Sequence, residues 1–182
     1  IFAVGMAPTG SADPFALRRN ANGILQMALD GTAISLDEAI ASALAGYVGT
    51  VEFDSDEIGT AIKAFFITRL ESIFRDRLQA YDTVAAVLAV AADRPADAMA
   101  RSEALTAFRA SSDDMENLSV AFTRAKNLAK PELGTEADRA LMAEHEVALA
   151  DALDGAEEVA MQLLEAPAYS ALLEVYAGLR EP

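Results

Sequence analysis

The sequence has 182 residues, no cysteine, no tryptophan and one histidine, and 53% of it is apolar. That is enough to bury a core, and the missing thiols exclude disulfides, thiolate metal sites and thiol nucleophiles together, in keeping with a reducing cytoplasm. The formal charge of −15 excludes a general polyanion-binding surface, because such surfaces draw their affinity from neutralising phosphates.

Apolar residues recur at helical rather than alternating spacing throughout, so the fold class expected is all-α. Pro8, Gly10 and Ser11 make a tight connector. Asp13 is then placed to cap a helix with Pro14 at its first position, which ends at Asp30 with Gly31 just beyond. A second helix follows Ser35, where Ser35 and Glu38 have capping-box spacing. Gly46, Gly49 and the short "VEF" interrupt the pattern, so a module boundary is expected near 46–54, between a helical segment at 1–50 and a bundle at 54–182. "DSDE" at 54–57 opens a long helix to about Leu78, carrying Ile62, Phe65, Phe66, Leu70, Ile73 and Phe74. The next helix, 81–92, is so apolar that burial on most sides is expected, yet the run 84–92 is far shorter than the roughly 20 residues of a membrane-spanning helix. Pro95 starts a helix to Ala110, and Ser112 or Asp113 caps one that stops at Lys130 before Pro131. Thr135 and Asp138 begin acidic helical sequence to Glu165, with a possible break at Gly155, and Pro167 introduces a last helix over 169–179.

The charge is unevenly spread. Residues 1–61 carry net −6, residues 62–130 carry ten basic and nine acidic side chains, and residues 131–182 carry net −10. A cationic patch in the middle can act locally, because the Debye length is about 8 Å at physiological salt. Autonomous catalysis is not expected: His145 has Met142, not glutamate, three residues before it, which breaks the Glu-x-x-His pattern of di-metal carboxylate bundles. Glu144, Glu146 and Asp151 read as a solvated acidic face. No phosphate-cradling glycine loop follows a strand. The chain opens at Ile1 with neither an initiator methionine nor a basic-then-apolar leader, and is expected to be a piece of a longer protein.

The most specific stretch is "FAVGMAPTGSADPFALRR" at 2–19, which resembles the "PTGS-x-DPFALRR" signature of the bacterial glycyl-tRNA synthetase beta subunit. "YDTVAAVLAV" at 81–90 is similar to that family's "YD-x-V-x-AVLA" element, and "AFTRAKNLAK" at 121–130 to its basic "AF-x-R-x-x-NI-x-K" helix. Ala12 and Thr123 depart from the family's usual basic or polar residues, so nothing is carried over at those two positions. The resemblance implies a position in the carboxy-terminal region, with a helical bundle similar to the anticodon-binding domain of arginyl-type synthetases preceded by a short helical segment. It also implies a ligase of two alpha and two beta chains that joins glycine to tRNA(Gly) in the cytoplasm. ATP would be consumed at the alpha subunit, leaving this chain without a cofactor or a catalytic residue. Further helices beyond Pro182 are implied as well, so that an apolar groove would be exposed at one edge.

On that resemblance the expected tRNA-binding residues are Arg124, Lys126, Asn127 and Lys130, with the pair Arg18 and Arg19. Helical projection separates Met115, Leu118, Phe122, Ala125 and Ala129 from a polar face of Thr123, Lys126, Asn127 and Lys130, with Arg124 at its margin. Lysines in a final turn also favour the helix dipole, so that face has a purely structural explanation too. Arg18 and Arg19 lie in the helix's second turn and diverge by about 100°, which suits contact with a partner or with acidic neighbours. Lys63, Arg69, Arg75 and Arg77 are further candidates for RNA contact, but snorkelling or salt bridging with Asp76, Asp82 or the acidic tail is the expectation, and Phe65, Phe66, Tyr81 and Phe122 are expected to serve the core.

Overall fold

A computed structural model of the chain describes residues 1–8, 12–110, 112–134, 137–165 and 168–180. Eight α-helices occur among them, α1 Leu17–Leu29, α2 Leu36–Ala45, α3 Ser55–Asp76, α4 Tyr81–Ala91, α5 Pro95–Ala110, α6 Ser112–Leu128, α7 Glu144–Glu165 and α8 Tyr169–Ala177, with four 3₁₀ turns, one before α1, two between α6 and α7 and one after α8. The all-α expectation is met, with no strand pair among the described residues. Gly10, Ser11, Thr135 and Pro167, assigned above to connectors and helix starts, lie outside the described residues.

The helix starts follow the capping residues. The Ser35 hydroxyl accepts the Glu38 amide at 3.1 Å, and the Asp54 carboxylate accepts the amides of Asp56 and Glu57 at 2.9 and 3.0 Å. Asp13 also caps, accepting the Leu17 and Arg18 amides at 2.8 and 3.0 Å, but the helix begins at Leu17 rather than Pro14. The cause is Ala16, whose φ of 53° is left-handed and breaks the helix one turn after Asp13. α3 closes on the same kind of device: the Gln79 amide donates to the Phe74 carbonyl and the Leu78 amide to the Arg75 carbonyl. Leu78 occupies the left-handed position of that turn, where glycine is usual, with φ 61° and 90% of its surface exposed.

The described residues divide into two compact units, Ile1–Glu103 and Ala104–Pro182. In the first, α3 is the central element and packs against α1, α2, α4 and the 3₁₀ turn Phe2–Val4. Leu25, Leu36, Leu70 and Phe74 are fully buried there. The glycine-bearing stretch at 46–54 falls within this unit, with α2 and α3 packed together on either side of it. Burial of α4 on most sides is not observed: Thr83, Val84, Val87 and Leu88 are buried, but Tyr81 and Val90 are 78% and 80% exposed. Its alanines supply apolar composition without enough bulk to require cover on every side.

In the second unit α8 and the 3₁₀ turn Gly178–Arg180 form a shared support on which α6 and α7 both pack. α7 runs unbroken through Gly155. Its buried contacts are small, Ala156 and Ala160 on α7 and Ala177 on α8, so the helices approach closely while larger apolar side chains point outward.

Candidate nucleic-acid interface

The last two turns of α6 carry the expected basic strip. Arg124, Lys126 and Asn127 are helical and exposed, and Lys130 is exposed just beyond the helix, extended at φ −124° and ψ 105° as a residue before proline must be. None of the three cations is joined to a carboxylate among the described residues. The four residues therefore share one short segment and are not locked by acidic neighbours. The apolar face behind them differs from expectation. Met115 and Leu118 are half-buried, but Phe122 is 65% and Leu128 78% exposed, because α6 and α7 are joined through α8 rather than packed along each other. An open groove of about 610 Å³ results, lined among others by Leu118, Phe122, Leu128, Leu149, Leu153 and Tyr176. Arg124 contributes to its wall, so it stands at the edge between apolar groove and polar strip.

Across the second unit's acidic sequence, Arg139 binds Asp151 at 2.6 Å and Asp154 at 2.5 Å. These bonds hold its pKa above the ordinary arginine value. That arginine is committed to fixing the 3₁₀ turn Arg139–Leu141 on α7. No group of three His, Asp or Glu side chains among the described residues is placed to hold a metal ion.

In the first unit Arg18 is half-buried and Arg19 exposed near the start of α1. Lys63 is in an ion pair, but with Asp37 of α2 at 2.7 Å rather than with Asp76, Asp82 or the acidic tail. The salt bridging expected of the arginines is not observed among the described residues either. Arg69 donates to the Phe65 carbonyl at 2.8 Å and lies 3.8 Å over the Phe65 ring, which is itself edge-on to Phe2. Arg75 donates to the Glu71 carbonyl at 3.2 Å, and Arg77 donates to the Gln26 side-chain carbonyl at 3.5 Å. Neutral partners orient all three guanidinium groups, and none of the three is in an ion pair among the described residues. Burial, followed by repulsion from Arg18, lowers the Arg69 pKa, while Asp13 acts in the opposite sense. Sequence reasoning weighs Arg69 and Arg77 for RNA contact but leaves them out of the expected site, because both project into or beside the broad apolar arc of α3. Their eight-residue spacing turns the second side chain about 80° from the first, so the spacing alone does not mark them as one face.

Comparison with known proteins agrees with the motifs. The family model described as glycyl-tRNA synthetase beta subunit matches residues 1–89. The glycine–tRNA ligase beta subunit of Desulforudis audaxviator is 39% identical over 185 residues, a match covering all of this chain and 26% of that protein. That of Desulforamulus reducens is 40% identical over 186 residues, again all of this chain and 26% of the relative. That of Geobacter metallireducens is 37% identical over 183 residues with the same coverage. The matches define a class first: aminoacyl-tRNA synthetase sequence carried on an all-α chain. More narrowly, the chain belongs to the glycyl-tRNA synthetase beta-subunit family, and it spans about a quarter of the length of these relatives.

Proposed function

We propose that this chain is a non-catalytic tRNA-recognition module. In this reading it presents tRNA(Gly), in the cytoplasm, to an ATP-dependent glycylation carried out on the alpha subunit of an assembly of two alpha and two beta chains. Lys126 and Lys130 act as point charges on phosphates, and Arg124 and Asn127 hydrogen-bond base edges of an unstacked anticodon loop. Arg18 and Arg19 add contacts from the first unit. The observation that carries the reading is the exposure of Arg124, Lys126, Asn127 and Lys130 on one short segment, with no carboxylate bound to its cations among the described residues. Charge left uncompensated in this way is what a phosphate backbone neutralises, and binding should weaken as salt rises.

The test is a titration of the whole chain with tRNA(Gly) across a salt series starting at low salt, comparing wild type with Arg124→Glu and Lys126→Glu. Each reversal is expected to weaken binding several-fold, and Lys126→Glu to reduce the salt slope by about one. Unchanged affinity in both variants would remove the α6 strip from the interface.

The open groove between α6 and α7 favours a second reading. Exposed apolar surface of this kind marks protein docking, so the chain would be an interaction module that joins other synthetase domains and never touches RNA. Co-elution with the alpha subunit, combined with no tRNA binding at low salt, would select it over the first.

A further inference from the structure

α1 and α3 pack against each other, and the proximity of Arg18 to Arg69 and of Gln26 to Arg77, in ascending order, shows them running in the same direction. Gln26 of α1 meets Arg77, the residue that caps α3, across 51 positions of sequence. Arg18 and Arg69, near enough for the charge of one to lower the pKa of the other, are separated by the same offset without a bond between them. The two rungs are eight residues apart on each helix, a rise of about 12 Å. Between them Asn22 is exposed on α1, and Arg18, Asn22 and Gln26 recur every four residues, which aligns them on one side of that helix. α1 contains no carboxylate, and over Leu17–Leu29 and residues 66–77 there are five arginines against Glu71 and Asp76.

We propose that this strip along α1 and α3, formed by Arg18, Asn22, Gln26, Arg69 and Arg77, binds the phosphodiester backbone of an RNA strand. The arginines suit phosphate and carboxylate alike, and two further features, the amides and the length of the strip, favour RNA over an acidic protein. The guanidinium groups of Arg69 and Arg77 are held by a carbonyl, a ring and an amide, so they are oriented without being neutralised, and their planar forks suit bidentate contact with phosphate. The amides of Asn22 and Gln26 lie along the strip between the cationic ends, where ribose hydroxyls of a bound strand would fall. A length of about 12 Å spans several backbone charges, which recur about every 3.4 Å of axis along one strand of a duplex. Asp13 caps α1 and its charge offsets part of that of Arg69, but no ion pair joins the two among the described residues. The acidic remainder of the chain does not abolish the strip, since charges more than about 8 Å away are largely screened at physiological salt. The inference rests on the tRNA reading only for which RNA is bound. Its chemistry asks for a polyanionic strand.

The experiment titrates the whole chain with tRNA(Gly) and with a labelled 20-nucleotide single-stranded RNA across a salt series, for wild type, Arg77→Gln and Arg69→Gln/Arg77→Gln. Arg77 is exposed, so its single variant should melt as wild type and report binding alone. Each removed contact is expected to weaken binding to both RNAs several-fold and to reduce the single-strand salt slope by about 0.7. If these variants bind as wild type while Lys126→Glu weakens tRNA binding, the strip is overturned and the α6 reading stands. If they weaken binding and Arg124→Glu and Lys126→Glu do not, the strip stands and the α6 reading falls. Binding of a 20-residue polyglutamate that is lost in the variants, with RNA binding unaltered, assigns the strip to a protein and overturns the proposal. A wild type that binds neither RNA overturns it as well.

Discussion

Asp93 joins three elements with one residue. Its carbonyl accepts the Leu36 amide at 2.9 Å, and its carboxylate accepts the Ser35 hydroxyl at 2.9 Å and the Asp37 amide at 2.8 Å. The turn between α4 and α5 is thereby fastened to the amino-terminal end of α2, where unsatisfied amides and the helix dipole favour a negative charge. Burial raises the Asp93 pKa, but the hydrogen bonds from Asp37 and Ser35, with the charges of Lys63 and Arg94, outweigh it and hold the group below its ordinary value. A carboxylate whose pKa is lowered by folding stabilises the fold in full above its unfolded pKa, and that contribution is lost as pH falls through the lower folded value. Asp93→Asn is therefore expected to cost about 1 kcal/mol at pH 7, with the gap to wild type closing in acid. Thermal melts of both chains from pH 7 down to pH 3 check this, and a gap independent of pH would contradict it.

At the scale of elements, side chains that satisfy helix ends were the most legible part of the sequence. Ser35 and Asp54 start α2 and α3 where capping chemistry places them. Asp13 shows the limit: its capping role was readable, but the left-handed Ala16 that moves the start of α1 to Leu17 was not, because nothing in an alanine announces a positive φ. The expected burial of α4 failed for a related reason. Composition gives how apolar a helix is, while its cover depends on neighbours that only the tertiary fold supplies. α7 offers a direct test of element stability. Gly155 sits inside it, exposed, and a Cβ added there would meet nothing within 4 Å. Gly155→Ala should raise stability by about 0.5–1 kcal/mol, chiefly by reducing backbone freedom in the unfolded chain. Urea denaturation followed by helical circular dichroism measures it, and a loss of stability would show that the glycine serves a contact or a bend.

For the whole molecule the decisive property is how an acidic chain distributes its few cations. Lys63, Arg101 and Arg139 are bound to carboxylates, whereas Lys126 and Lys130 of the α6 segment and Arg69 and Arg77 of the first unit are not, among the described residues. The α6 strip could be read from its motif and helical projection, since all its members lie within seven residues of sequence. The strip on α1 and α3 could not, because it exists only through a register between helices 51 positions apart. Both arrangements make one claim: cationic charge stays uncompensated until a phosphate backbone meets it. The most direct test is the affinity of the unaltered chain for tRNA(Gly) over a range of salt. The claim predicts a log–log slope of about −2 or steeper, as expected when at least two phosphates are neutralised. A flat dependence, or no binding at the lowest salt, would contradict it.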